Sequence, residues 1–159
     1  MAGVPDLDEI FSHHGPLSRA VKGFRARPFQ VEMARAVAEA IAAKSVLVAE
    51  AGTGTGKTFA YLVPALLMGG KVIVSTGTKT LQDQLFKRDL PTVRDALGLP
   101  VTIALLKGRA NYVCPYHLAR AEQSGRFATR EEAGHLRTIA RFAKATRTGD
   151  KGELSAVPE

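Results

Sequence analysis

The chain has 159 residues, 45% of them hydrophobic, with 22 Lys and Arg against 15 Asp and Glu and a formal net charge of +7. That size suffices for one domain with a core, and the positive balance favours a polyanionic partner such as nucleic acid. One cysteine excludes an internal disulfide, no signal-peptide pattern opens the chain, and no apolar run reaches the ~20 residues of a bilayer span, so a cytoplasmic protein without membrane association is expected.

The charge is unevenly placed. Residues 1–50 carry 6 basic and 6 acidic groups, residues 51–100 carry 6 and 3, and residues 101–159 carry 10 and 6. Residues 1–24 mix polar, Gly and Pro positions with a short apolar-acidic segment, Leu7 to Phe11, and read as a peripheral leader. His13 and His14 are adjacent and so point different ways, which argues against a shared metal site.

Arg25-Ala26-Arg27-Pro28-Phe29-Gln30 precedes an amphipathic helix in which Ala34, Val37, Ala38 and Ile41 recur at i, i+3, i+4 and i+7. Pro28 suits the first helical turn. The carboxamide of Gln30 offers donors and an acceptor in one plane, matching the N6 and N7 edge of adenine, although a Gln near a helix start is more often a surface residue.

Ser45 to Ala49 is a short apolar, β-branched run suited to a buried strand. It leads into Ala51-Gly52-Thr53-Gly54-Thr55-Gly56-Lys57-Thr58, a P-loop of the A-x-x-G-x-G-K-T form, with Ala51 where the general pattern has Gly. Closely spaced glycines let backbone N–H groups converge on one anion, the following helix contributes its N-terminal dipole, Lys57 can reach the β- and γ-phosphates, and Thr58 can ligate Mg²⁺. A nucleoside triphosphate site follows. Tyr61, Leu62, Ala65 and Leu66 continue at helical spacing, and Gly69-Gly70 ends that helix.

Lys71 to Ser75 reads as a second strand, completing a βαβ unit with its functional loops at the strands' carboxyl ends. Ser75-Thr76-Gly77-Thr78-Lys79-Thr80 lies at such an end, with four hydroxyls and a lysine suited to the phosphate oxygens of a nucleic-acid backbone; an ordinary N-cap at Thr78 is the competing reading. A helix over 79–90 follows. Val101 to Leu106 is a third strand-like run, ending in Lys107-Gly108-Arg109-Ala110-Asn111-Tyr112-Val113-Cys114-Pro115. Cys114 is either a small buried hydrophobe or a first ligand of a metal or iron–sulfur centre. Thr129-Arg130-Glu131-Glu132 is a capping box, opening a helix with Leu136, Ile139, Ala140 and Ala143 on one stripe and Arg137, Arg141, Lys144 and Arg147 elsewhere.

Arg27 to Gln30 resembles a Q-motif, Ala51 to Thr58 motif I, Ser75 to Leu85 motif Ia, and Leu106 to Cys114 the lead into an iron–sulfur segment. In this order they resemble the beginning of a DinG/YoaA-type DNA helicase of superfamily 2, similar to the XPD group. The resemblance implies an α/β P-loop NTPase fold, a RecA-like parallel sheet with flanking helices, here an incomplete first helicase lobe, with the first half of its ATP-binding part over 25–106 and the truncated start of an iron–sulfur, DNA-contacting helical insertion over 107–159. It implies an ATP-dependent motor on single-stranded DNA, with ATP, Mg²⁺ and a 4Fe–4S cluster. Gln30 would read adenine with Arg27 in support, and Gly52 to Thr58 would hold the triphosphate. Ser75, Thr76 and Thr78 would track DNA, Lys107 and Arg109 would meet its phosphates, and Cys114 would be the first cluster ligand. No D-E-A-H sequence occurs in the chain, so these residues alone are not expected to hydrolyse ATP, and residue 159 is expected to fall inside the first lobe. The alternative is a short non-catalytic nucleotide- or DNA-binding module; a P-loop kinase or transporter ATPase would need a lid or signature sequence that is not visible.

Overall fold

The computed structural model describes residues 6–154. The first five residues of the expected leader and the last five of the expected insertion lie outside it. Two compact units divide the chain after Leu105.

In the first unit, α1 (Leu7–Phe11), α2 (Pro16–Ala20), α3 (Pro28–Ala43) and α4 (Lys57–Leu67) are followed by α5 (Lys79–Gln84), a π-turn (Leu85–Asp89) and α6 (Leu90–Leu97). Asp6 starts α1 by accepting the N–H of Asp8 at 2.9 Å, the expected behaviour of an Asp cap. Pro28 occupies the first turn of α3, where its missing N–H costs nothing. The helices α3 and α4 pack along buried Ala34, Ala38 and Ala60, small side chains that allow close approach. Around them, fully buried Phe11, Leu17, Leu62, Val63 and Val93 join α1, α2, α4 and α6 in one core. Thus residues 7–20 contribute core side chains, which their composition did not announce. Phe24 links two of these parts, its ring centroid 6.4 Å from Phe11 and 6.2 Å, edge-on, from Phe59 in the first turn of α4.

The helix expected over 79–90 runs on to Leu97 through the π-turn. Pro91 explains the irregularity: it cannot donate to the carbonyl one turn back and its ring crowds that carbonyl, so the backbone widens just before it.

The expected RecA-like parallel sheet is not formed. Among the described residues there is no strand, and the runs 45–49, 71–75 and 101–105 are neither helical nor paired with one another. Apolar, β-branched composition expresses a preference for burial in extended form, but a strand exists only when a lateral neighbour takes its N–H and C=O groups. The side chains report the consequence. Val46 and Val48 are each 92% exposed and Ile73 94%, while Val74 packs on the core. In 101–105 the period of two survives, with Val101, Ile103 and Leu105 half-buried and Thr102 and Ala104 exposed. One face of 101–105 is thus partly covered and the other bare, whereas every residue of 45–49 is exposed.

The second unit contains a 3₁₀ turn (Arg109–Asn111), α7 (Pro115–Ser124), α8 (Arg130–Ala145) and a second 3₁₀ turn (Lys151–Glu153). The capping box opens α8 with Thr129 Oγ1 accepting from Glu132 N at 3.1 Å, while Glu132 Oε2 accepts from Ala128 N at 2.9 Å, one residue before the reciprocal position. No hydrophobic side chain of this unit is fully buried among the described residues. Polar contacts close it instead: Lys107 Nζ meets Asp150 Oδ2 at 2.7 Å, Lys107 N donates to the Tyr112 hydroxyl at 2.8 Å, and Val113 N donates to Gly149 O at 2.9 Å beside an antiparallel bridge between Tyr112 and Asp150.

Candidate nucleotide-binding site

The loop between Glu50 and α4 is built on left-handed glycines. Gly54 has φ +73° and Gly56 φ +85°, a region that costs other residues one or more kcal/mol in order of magnitude. Thr55 Oγ1 donates to Gly52 O at 2.9 Å, folding the loop on itself. Apart from the turn across Thr53 and Gly54, no backbone N–H from Gly52 to Phe59 is donated to another group among the described residues. A run of undonated N–H groups entering a helix N-terminus is a concave array of partial positive charge.

Two residues far away in sequence hold this loop. Arg27 Nη1 donates to Gly54 O. Gln30 is only 4% exposed, and its Nε2 donates to Gly56 O at 3.0 Å. A Cβ at position 56 would stand 2.3 Å from that nitrogen, so Gly56 is required by both its φ and its neighbour. Gln30, expected to face adenine, is thus packed under the loop. Lys57 Nζ turns onto the same loop, donating to Ala51 O and, at 2.6 Å, to Gly52 O. Thr53 lies exposed at the tip.

One turn into α4, Tyr61 is a neighbour of Thr58. Burial raises the Tyr61 phenol above its ordinary pKa, a hydrogen bond with Thr58 partly offsets this, and the Asp89 carboxylate adds to the rise. Asp89 itself is buried in the π-turn, accepting from Gln84 Nε2 at 2.9 Å and Arg88 Nε at 2.8 Å. Sequence reasoning did not single out Tyr61 or Asp89. The i, i+3 spacing of Thr58 and Tyr61 was a legible signal; the proximity of Asp89 was not.

Of the expected DNA-facing residues, Ser75 is exposed, Thr76 Oγ1 donates to Thr78 O at 3.2 Å, and Thr78 Oγ1 caps α5 by accepting from Leu81 N at 3.2 Å. The capping reading of Thr78 therefore holds. In the second unit, Arg109 is exposed, whereas Lys107 is engaged with Asp150. Cys114 is exposed at the start of α7, which removes the buried-hydrophobe reading.

A family model described as DEAD/DEAH box helicase matches residues 28–124. The chain belongs to the DEAD/DEAH box helicase family. Its relatives include the ATP-dependent DNA helicase YoaA of Haemophilus influenzae, 52% identical over 153 residues (96% of this chain and 24% of that protein). The Escherichia coli protein of the same name is 57% identical over 117 residues (74% and 18%). The ATP-dependent helicase DinG of Mycobacterium tuberculosis strain H37Rv is 50% identical over 103 residues (60% and 16%). The resemblance to DinG/YoaA-type helicases is borne out. The chain spans a quarter or less of the length of these relatives. No solved structure matches it.

Membership of the DEAD/DEAH box helicase family implies ATP and Mg²⁺. The loop fits a triphosphate in its donor chemistry: undonated N–H groups, an ammonium and a hydroxyl. No group of three His, Cys, Asp or Glu residues placed to hold a metal occurs among the described residues. An iron–sulfur cluster takes several thiolates, and the chain has one cysteine, so these residues do not by themselves fit one. No helix among the described residues is long and apolar enough to cross a membrane.

Proposed function

We propose that this chain is the nucleotide-binding part of an ATP-dependent DNA helicase, with Gly52, Thr53, Gly54, Thr55, Gly56, Lys57 and Thr58 as its triphosphate site. The observation that carries this reading is the run of undonated N–H groups around Lys57. Phosphate oxygens offer the Lys57 ammonium charged acceptors in place of two neutral carbonyls, an exchange favoured by charge-assisted hydrogen bonding. Arg27 and Gln30 act one step back, holding the Gly54 and Gly56 carbonyls so that the adjoining N–H groups face the anion. Mg²⁺ supplies charge neutralisation between phosphates, and Thr58 holds it, oriented by Tyr61.

Single-stranded DNA is the proposed polymer, met by Ser75, Thr76 and Thr78 before α5 and by Arg109 in the second unit. Lys107 contributes by anchoring that segment through Asp150. Assignment of Cys114 as the first ligand of a 4Fe–4S cluster rests on the resemblance, and its other thiolates would have to come from outside these 159 residues. Hydrolysis needs carboxylates that orient the attacking water, and no D-E-A-H sequence is present, so the activity proposed for the chain itself is binding.

Titration of the 159-residue chain with a fluorescent ATP analogue and Mg²⁺ tests this. Saturable binding is expected, weakened at least tenfold by Lys57→Ala. Undiminished affinity in that variant refutes the P-loop assignment.

A further inference from the structure

Helix α8 presents charge and apolar surface that its own unit leaves unanswered. Most acids of residues 106–154 are committed elsewhere: Asp150 to Lys107, Glu132 to the cap of α8, Glu153 to Thr146 and Thr148, and Glu131 toward His135. Arg137, Arg141 and Lys144 are exposed and make no ion pair among the described residues. On the same helix, Leu136 and Ala140 are only half-buried and form the floor of an open groove of about 770 Å³ between α8 and α7.

The three cations stand at i, i+4 and i+7, about 6 and 10.5 Å along the axis at the α-helical rise, and so form one row beside that floor. An apolar floor and a cationic rim on one helix are what an amphipathic helix of opposite charge complements, because its own side chains recur at the same spacing. Gly134, three residues before Arg137, lines the groove with open space around its Cα, so a second backbone can approach there. Glu122 lines the α7 side and gives the groove a polarity, with carboxylates suited to one edge and a basic group to the other. A nucleic-acid strand fits less well. Single strands stack their bases on aromatic rings, yet no aromatic side chain lines this groove among the described residues, and the Glu122 carboxylate opposes phosphate.

We propose that this groove docks an acidic amphipathic helix of a partner protein, with apolar side chains on Leu136 and Ala140 and carboxylates at helical spacing opposite Arg137, Arg141 and Lys144. Apolar contact supplies most of the affinity. The row of pairs fixes register and direction, since exposed charge pairs contribute more to specificity and association rate than to binding energy. The groove belongs to the second unit and the triphosphate loop to the first, so this surface goes beyond the nucleotide reading and can fail without it.

The test is fluorescence anisotropy of a labelled peptide with the whole 159-residue chain. The probe is an amphipathic helix of about 18 residues, long enough to form on its own, with Leu along one stripe and Glu at i, i+4 and i+7 beside it. Saturable binding is expected. It should weaken about tenfold when Gln replaces those Glu residues in the peptide, and by a similar factor when Arg137→Gln, Arg141→Gln and Lys144→Gln are combined in the chain. Exchanging the signs is the sharpest readout: Arg137→Glu, Arg141→Glu and Lys144→Glu together should abolish binding of the acidic peptide and restore it toward the same peptide bearing Lys in place of Glu. A matched loss of charge in the first unit, Arg19→Gln with Lys22→Gln and Arg25→Gln, should change affinity less than about twofold. Arg141→Gln alone, expected to weaken binding about threefold, serves if the combined variants lose their native circular dichroism. Absence of saturable binding, undiminished affinity in the α8 variants, or no recovery with the Lys peptide each overturns the docking site. So does an oligothymidine that displaces the peptide and loses affinity in the same variants, which would make the groove a nucleic-acid surface. None of these outcomes bears on binding of the ATP analogue.

Discussion

The two units of this molecule are held by different physics. The first buries Phe11, Leu17, Leu62, Val63 and Val93 completely, drawn from four helices, so its stability is mainly the removal of apolar surface from water. The second has no fully buried hydrophobic side chain among the described residues and is closed by the Lys107–Asp150 pair, the Tyr112 hydroxyl and the Thr146–Thr148–Glu153 network. A core tolerates loss of any one hydrogen bond but is sensitive to volume. A polar clasp responds in the opposite way.

The contrast is open to direct attack, and the largest effect should come from the core. Phe11→Ala removes a fully buried ring shared by α1 and its neighbours, and should cost about 3–5 kcal/mol, seen as a lowered melting temperature by circular dichroism. A loss under about 1 kcal/mol would mean that α1 is dispensable to the first unit. Next in size, Asp150→Ala strips the partner from an almost buried ammonium, which should cost about 3 kcal/mol. Hydrogen exchange is the appropriate measurement: the Val113 amide, bonded to Gly149 O, should lose protection while amides of α3 and α4 keep theirs. Loss of protection in both units together would show that the clasp is not local.

The smallest expected effect concerns Tyr61. Because its folded pKa is raised, chiefly by burial, the folded state holds the phenolic proton more tightly than the unfolded chain does. Stability is therefore intact below the ordinary tyrosine value and declines as pH rises through it towards the raised one. Tyr61→Phe should flatten that alkaline decline in a denaturant titration repeated at increasing pH, and an unaltered decline would place its origin elsewhere.

Legibility in the sequence followed the range of the interaction. The turn before α4 could be read because positive φ at Gly54 and Gly56 is a local demand of a glycine-rich stretch. Helices α3, α4 and α8 were readable from 3.6-residue periodicity with Pro28 and Thr129 as start signals. The hydrogen bond of Gln30 to Gly56 O, 26 positions away, was not. Nor was the pairing of Lys107, expected at DNA phosphates, with Asp150, 43 positions on.

By itself the sequence determined the glycine-rich loop before α4, the principal helices, the basic excess beyond residue 50 and the membership in a helicase family, because each is encoded in short-range chemistry or in an ordered set of motifs. Tertiary structure alone decided three other things: that Leu7 to Phe11 enter the core, that Arg27 and Gln30 grip the P-loop carbonyls, and that the runs 45–49, 71–75 and 101–105 remain unpaired. Each depends on which surface or backbone edge is offered from a distance. A strand is the clearest case, since half of what defines it belongs to its neighbour.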